Sequence, residues 1–115
     1  MAFLFEKLKA YQVAMSFAHE ILRLTSDPPR GTSNMVDQLR RAAMSISANL
    51  AEGSGRWHRN DRKQFFWIAR GSVNECVPFL ELAVKEKILC ESDYQRLKDL
   101  LEMLARMITA LIAAN

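Results

Sequence analysis

Cysteine is scarce in this 115-residue chain: Cys76 and Cys90 make no disulfide framework and no metal-ligand cluster. Histidine is as rare. His19 and His58 have no partner in an H-x-x-x-H or E-x-x-H spacing, so the usual zinc and di-iron ligand sets are missing. Three prolines and four glycines interrupt the chain too seldom to prevent long regular elements. No apolar run reaches the roughly 20 residues that a membrane span needs. The segment "MAFLFEKLKA" places an acid and two lysines where a signal peptide has its apolar region. These two absences lead us to expect a cytoplasmic protein with no membrane partner. No useful length of sequence alternates apolar with polar residues, which excludes a half-buried sheet. No motif implies a cofactor.

Half of the residues are apolar, enough for one real core, and the length suits a single domain spanning 1–115. Net charge is only +3 but is unevenly spread. Residues 30–70 carry eight basic side chains, Arg30, Arg40, Arg41, Arg56, Arg59, Arg62, Lys63 and Arg70, against three acids, Asp37, Glu52 and Asp61. A basic middle permits an anionic partner without requiring one.

Apolar spacing predicts four helices. The first covers residues 5–24, with Leu4, Leu8, Tyr11, Met15, Ala18 and Leu22 on the core face. "TSDPPRG" then stops it, since proline cannot continue the hydrogen-bond ladder. Thr32, Ser33 or Asn34 can cap a second helix that presents Met35, Leu39, Ala42, Ile46 and Asn49. That helix is expected to end near Gly53 in a left-handed conformation. Asn60 caps a third helix over 61–87, with Phe65, Ala69, Ser72, Cys76, Phe79 and Ala83 inward. Pro78 should kink it near Asn74, whose carbonyl loses its partner. A fourth begins at 91–93 and carries a heptad seam of Tyr94, Leu97, Leu101, Leu104, Ile108 and Leu111. The expected fold is therefore all-α, an up-down-up-down antiparallel four-helix bundle.

Second apolar stripes on helix 1 (Val13, Phe17, Ile21, Leu24) and helix 4 (Leu100, Met103, Met107, Ala110) point to self-association, because one stripe suffices for a bundle core. Small residues on helix 2, and Gly71-Ser72 on helix 3, predict that these two helices pack closely. Asn49 is expected to be buried and partnered, and Glu75 to pair with Arg40 or Arg41.

The central stretch "SISANLAEGSGRWHRND" resembles a phosphate loop only superficially, lacking the preceding strand and the fixed lysine and hydroxyl. Cys76, on an apolar face, reads as a core residue, and no Ser/His/Asp arrangement is present, so no enzyme is expected. What remains is a cluster of Arg56, Trp57, His58, Arg59, Arg62, Lys63 and Phe66. Arginine offers phosphate a planar fork, and tryptophan offers an unpaired base a stacking face. We take Arg40, Arg41, Arg56, Trp57, Arg59, Arg62, Lys63 and Arg70 as candidate contacts to RNA or DNA. The rival reading is a protein-interaction module whose basic turn is merely solvated.

"FEKLKAYQVA", "DQLRRAAMSISANLAEGSGR" and "FFWIARGSVNE" together resemble the bacterial four-helix-bundle family named for 23S rRNA intervening sequences, which includes the accessory variability proteins of diversity-generating retroelements. The resemblance implies an up-down bundle assembled as a ring-like homopentamer. For the retroelement members it implies a basic surface that binds nucleic acid and a reverse transcriptase.

Overall fold

The computed structural model describes residues 3–115; the side chains of Leu4 and Lys7 lie outside it, and with them the placement expected for Leu4. Four helices follow a short 3-10 turn at Leu4–Lys7: α1 (Lys9–Leu24), α2 (Ser33–Ser54), α3 (Arg59–Lys85) and α4 (Glu91–Ala113). Neighbours in sequence pack antiparallel into an up-down-up-down bundle of 45 × 25 × 20 Å, with no strand among the described residues. At about 1.5 Å per residue, the longest helix, α3, nearly spans the long axis. The core is continuous, from Phe17 and Ile21 through Leu39, Ile46 and Leu50 to Leu80, Leu101 and Ile108.

The helix 4 seam stands as its spacing predicted. Leu97, Leu101, Leu104 and Ile108 are buried, and Tyr94 and Leu111 are half-buried. Helix 1 differs in two ways. It starts at Lys9 rather than Phe5, because Leu8 is extended (φ −74°, ψ 120°) and separates it from the 3-10 turn. Its buried face is Ala10, Ala14, Phe17, Ala18 and Ile21, while Met15 is 46% exposed. The stripe assigned to a second surface is thus the core stripe, completed by alanines that make room for neighbouring helices. One of the two sequence arguments for self-association falls away. Along α4, Leu100 and Met107 are half-buried against the core, Met103 is 36% exposed and Ala110 is exposed.

The closest pairing is α2 with α3, and the loosest is α1 with α4. Gly53 shows why α2 and α3 meet so closely. It is helical and buried, and a Cβ there would stand 2.8 Å from Cε1 of Phe66 and 3.0 Å from Cβ of Phe65. Its role is absence of bulk, not the left-handed stop expected of it; α2 runs on to Ser54, and Gly55 follows with φ −87°. Gly71 is different again, since a Cβ there would meet nothing within 4 Å. Close packing does not explain it.

A polar link crosses the same interface. The Ser72 hydroxyl donates to Ser45 Oγ at 2.9 Å, and Asn49 Nδ2 donates to Ser45 Oγ at 3.0 Å and to the Ser45 carbonyl at 2.8 Å. Asn49 is half-buried, and these bonds stay within α2. Glu75 is exposed and makes no ion pair among the described residues. The pairing expected with Arg40 or Arg41 is absent.

Pro78 lies inside α3, which continues through it unbroken. Pro78 and Asn74 are both exposed, so water can reach the carbonyl that loses its helical donor. The α1–α2 link ends α1 at Thr25, as the prolines require; the Thr32 hydroxyl turns to the Pro29 carbonyl at 2.6 Å instead of capping α2. At the α3–α4 turn Lys87 adopts φ 61°, and Ile88 N–H donates back to the Ala83 carbonyl at 2.8 Å. This left-handed residue ends α3 two residues before the expected 87.

Candidate nucleic-acid interface

The basic turn begins where α2 runs out of helical partners. Gly55 N–H donates to the Ala51 and Glu52 carbonyls, both at 3.2 Å, and Arg56 N–H donates to Gly53 at 3.1 Å. The chain then extends through His58 (φ −82°, ψ 139°), which takes the N-cap position expected for Asn60, and α3 starts at Arg59. Four residues, Gly55 to His58, therefore carry the whole reversal, and one is Trp57.

Trp57 is 88% exposed, the most exposed of the large apolar side chains among the described residues. Folded onto the bundle end it would remove a large apolar area from water, yet it stands clear. Beside it is an open concavity of about 480 Å³ lined by Ser54, Gly55, Arg56, Trp57 and Arg62. Arg56 forms one wall. Its Nη2 is 2.6 Å from Glu52 Oε1, and its Cζ sits 4.7 Å from the centre of the Phe65 ring. This ion pair is half in water, so it holds Arg56 only weakly. Arg59 is exposed and Lys63 half-buried; neither has an ion pair or a side-chain hydrogen bond among the described residues.

Arg62 behaves differently. Its Nη1 donates to the carbonyls of Trp57 at 2.7 Å and Arg56 at 3.1 Å, and its Nε donates to Asn115 Oδ1 at 2.8 Å. It binds the turn to the end of α4.

The other candidate contacts lie elsewhere. Arg40 is half-buried against α1, where its Nη1 donates to the Leu22 carbonyl (3.2 Å), the Thr25 carbonyl (3.3 Å) and Thr25 Oγ1 (2.9 Å). These include last-turn carbonyls that α1 leaves without helical donors. Arg41, next in sequence, is exposed and sits 13 residues, about 20 Å, before the end of α2 at Ser54, where the basic turn begins. Arg70 reaches across to α4, where its Nε donates to Thr109 Oγ1 at 2.8 Å. Arg56, Trp57, Arg59, Arg62 and Lys63 are therefore brought together, and Arg40, Arg41 and Arg70 are not.

Nucleophile chemistry has no support at Cys76: burial, then the nearby Glu75 carboxylate, push its thiol up to about 12. Among the described residues no group of three or more His, Cys, Asp and Glu could hold a metal ion, and no helix is long and apolar enough to cross a membrane.

The family model for the 23S rRNA-intervening sequence protein matches residues 6–110. The chain belongs to that family. A crystal structure of a protein of unknown function from the S23 ribosomal protein family of Bacteroides thetaiotaomicron shares the fold, with TM-score 0.82 and 22% identity. The alignment covers 90% of this chain and 95% of that one. No curated protein matches.

Spacing alone misses two members of the site. Phe65 was read as core, but its ring also supports Arg56. Asn115 carried no signal, because it lies 53 residues from Arg62 and only the bundle's closure joins them.

Proposed function

We propose that this chain is a non-enzymatic, self-associating bundle that binds nucleic acid at the α2–α3 turn. One observation carries the reading: a tryptophan 88% exposed, flanked by the exposed Arg56 and Arg59. An indole standing in water can stack on an unpaired base, and the flanking cations can follow the phosphates. Nothing in the turn resembles a base-reading helix, so recognition is of single strands and is sequence-tolerant. The partly exposed apolar stripe of α4 supports self-association, and by resemblance the assembly is a homopentamer. In a closed ring the turns would share one rim, and repetition multiplies a weak contact. A retroelement reverse transcriptase is the protein partner that the resemblance brings to this reading.

Fluorescence anisotropy with a single-stranded RNA, a duplex and a structured RNA, at about 50 and 200 mM salt, tests it. The single strand should bind most tightly, Trp57→Ala should weaken it more than the duplex, and Arg56→Ala with Arg59→Ala should lower both affinity and salt slope. No binding at low salt, or parental behaviour in the double variant, would sink the proposal. A second reading rests on Trp67 and Ile68, adjacent on α3 and 57% and 46% exposed. A protein partner covering them would leave the turn solvated. Light scattering that finds a 13.2 kDa particle would remove self-association from either reading.

A further inference from the structure

Resting on that reading of the turn, we infer that Arg62 is a positioning residue for Trp57 and not a phosphate contact. A guanidinium grips phosphate through two parallel N–H bonds along one edge, either Nε with Nη2 or Nη1 with Nη2. Here both edges are already broken into. Nε is committed to Asn115 Oδ1 at 2.8 Å, and Nη1 is shared between the carbonyls of Trp57 at 2.7 Å and Arg56 at 3.1 Å. Asn115 is anchored in turn, since its Nδ2 donates to the Leu111 carbonyl at 2.8 Å. A continuous line of hydrogen bonds thus runs from the last turn of α4, through one side chain of α3, to the backbone of the stacking residue. It fixes the Trp57 backbone while the indole stays in solvent. A turn ordered before a ligand arrives loses less freedom on binding. The charge of Arg62 is spent on holding the platform, and the phosphates are left to Arg56, Arg59 and Lys63.

Replacing Trp67 by Phe leaves Trp57 as the one tryptophan of the chain's two, and its anisotropy decay then reports the order of the turn without any ligand. In that background Arg62→Ala should add a fast, large-amplitude component to the decay. It should weaken a fluorescein-labelled single-stranded RNA roughly fivefold or more, the low end of what one lost base stack costs. The slope of log affinity against log salt should stay unchanged, whereas loss of a phosphate contact lowers it by about 0.7 for a single strand. Arg62→Lys keeps the charge but lacks the planar fork, so it should resemble Arg62→Ala. Asn115→Ala should move the decay in the same direction by less, and it carries the test if Arg62→Ala fails to fold. An unchanged decay, or a slope that falls by one contact and is restored by lysine, overturns the inference. If the parent binds no RNA, the proposed function fails, and the decay alone still decides whether Arg62 orders the turn.

Discussion

The two ends of the bundle use arginine in the same way and reach opposite results. At one end Arg40 reaches from α2 to the carbonyls that finish α1, and Glu20 of α1 meets Arg96 of α4 at 3.2 Å. At that end the Thr25 hydroxyl is buried, donating to the Ile21 carbonyl at 2.6 Å and accepting from Arg40. At the other end Arg62 likewise holds carbonyls, but the backbone it holds carries a tryptophan into solvent. The same chemistry closes one end and displays a side chain at the other. What separates them is the residue attached to the carbonyl, not the arginine.

The largest effect should come from removing the closing arginine. Arg40→Ala strips charge-assisted hydrogen bonds from half-buried carbonyls and should cost about 2 kcal/mol in urea denaturation. Arg62→Ala, at an exposed turn whose carbonyls water can serve, should cost about 1 kcal/mol or less. Equal losses would break the comparison.

Next comes the packing beneath the displayed turn. Gly53→Ala forces a methyl against the buried Phe66 ring and should destabilise by about 1–2 kcal/mol, overpacking being partly offset by helix propensity. Gly71→Ala, which meets nothing, should stabilise by up to about 1 kcal/mol. Thermal midpoints that move in the same direction would contradict the assignment.

Smaller again is the strain at the closed end. Lys87 holds φ 61° without a glycine's freedom, so Lys87→Gly should stabilise by about 0.5–1 kcal/mol in the same assay.

The smallest effect is electrostatic. A hydrogen bond from Arg23 holds the Glu20 carboxyl below its ordinary range, and one from Arg96 does the same for Asp93. Such depressed groups stabilise the fold above the unfolded carboxylate range, and the gain is lost as pH falls through their folded values. Both are only half-buried and reached by water, so the difference between parent and Glu20→Gln should be small at pH 7, shrink on acidification and fade at high salt.

Much of this fold was legible in the sequence. The α4 seam shows because its large residues recur at threes and fours without a break from Tyr94 to Leu111, so spacing and bulk agree. The α1 face was misread for a physical reason: its core is largely alanine, and pattern reading weighs Met15 above Ala14, although packing needs the small residue inside. Gly53 misled similarly. Near a helix end, a glycine that stops the helix and one that admits a ring look alike in sequence. The turn was legible as a cluster of Arg56, Trp57, Arg59, Arg62 and Lys63, since five neighbours need no tertiary knowledge. Whether an arginine there serves phosphate or carbonyl was not, because Asn115, Leu22 and Thr25 reach their arginines only after the chain has folded.

The unequal packing of the helices has a kinetic consequence. The close α2–α3 pair joins neighbours in sequence across a short turn, so forming it closes only a small loop. The loose α1–α4 seam joins segments most of the chain apart, and it returns the least close packing for the largest loop. We expect the α2–α3 hairpin to assemble first and α1 to be the first element to detach. Native-state hydrogen exchange should then find amides of α1 opening at lower free energy than those at the middle of α3. Equal protection in both would mean that the bundle opens only as a whole.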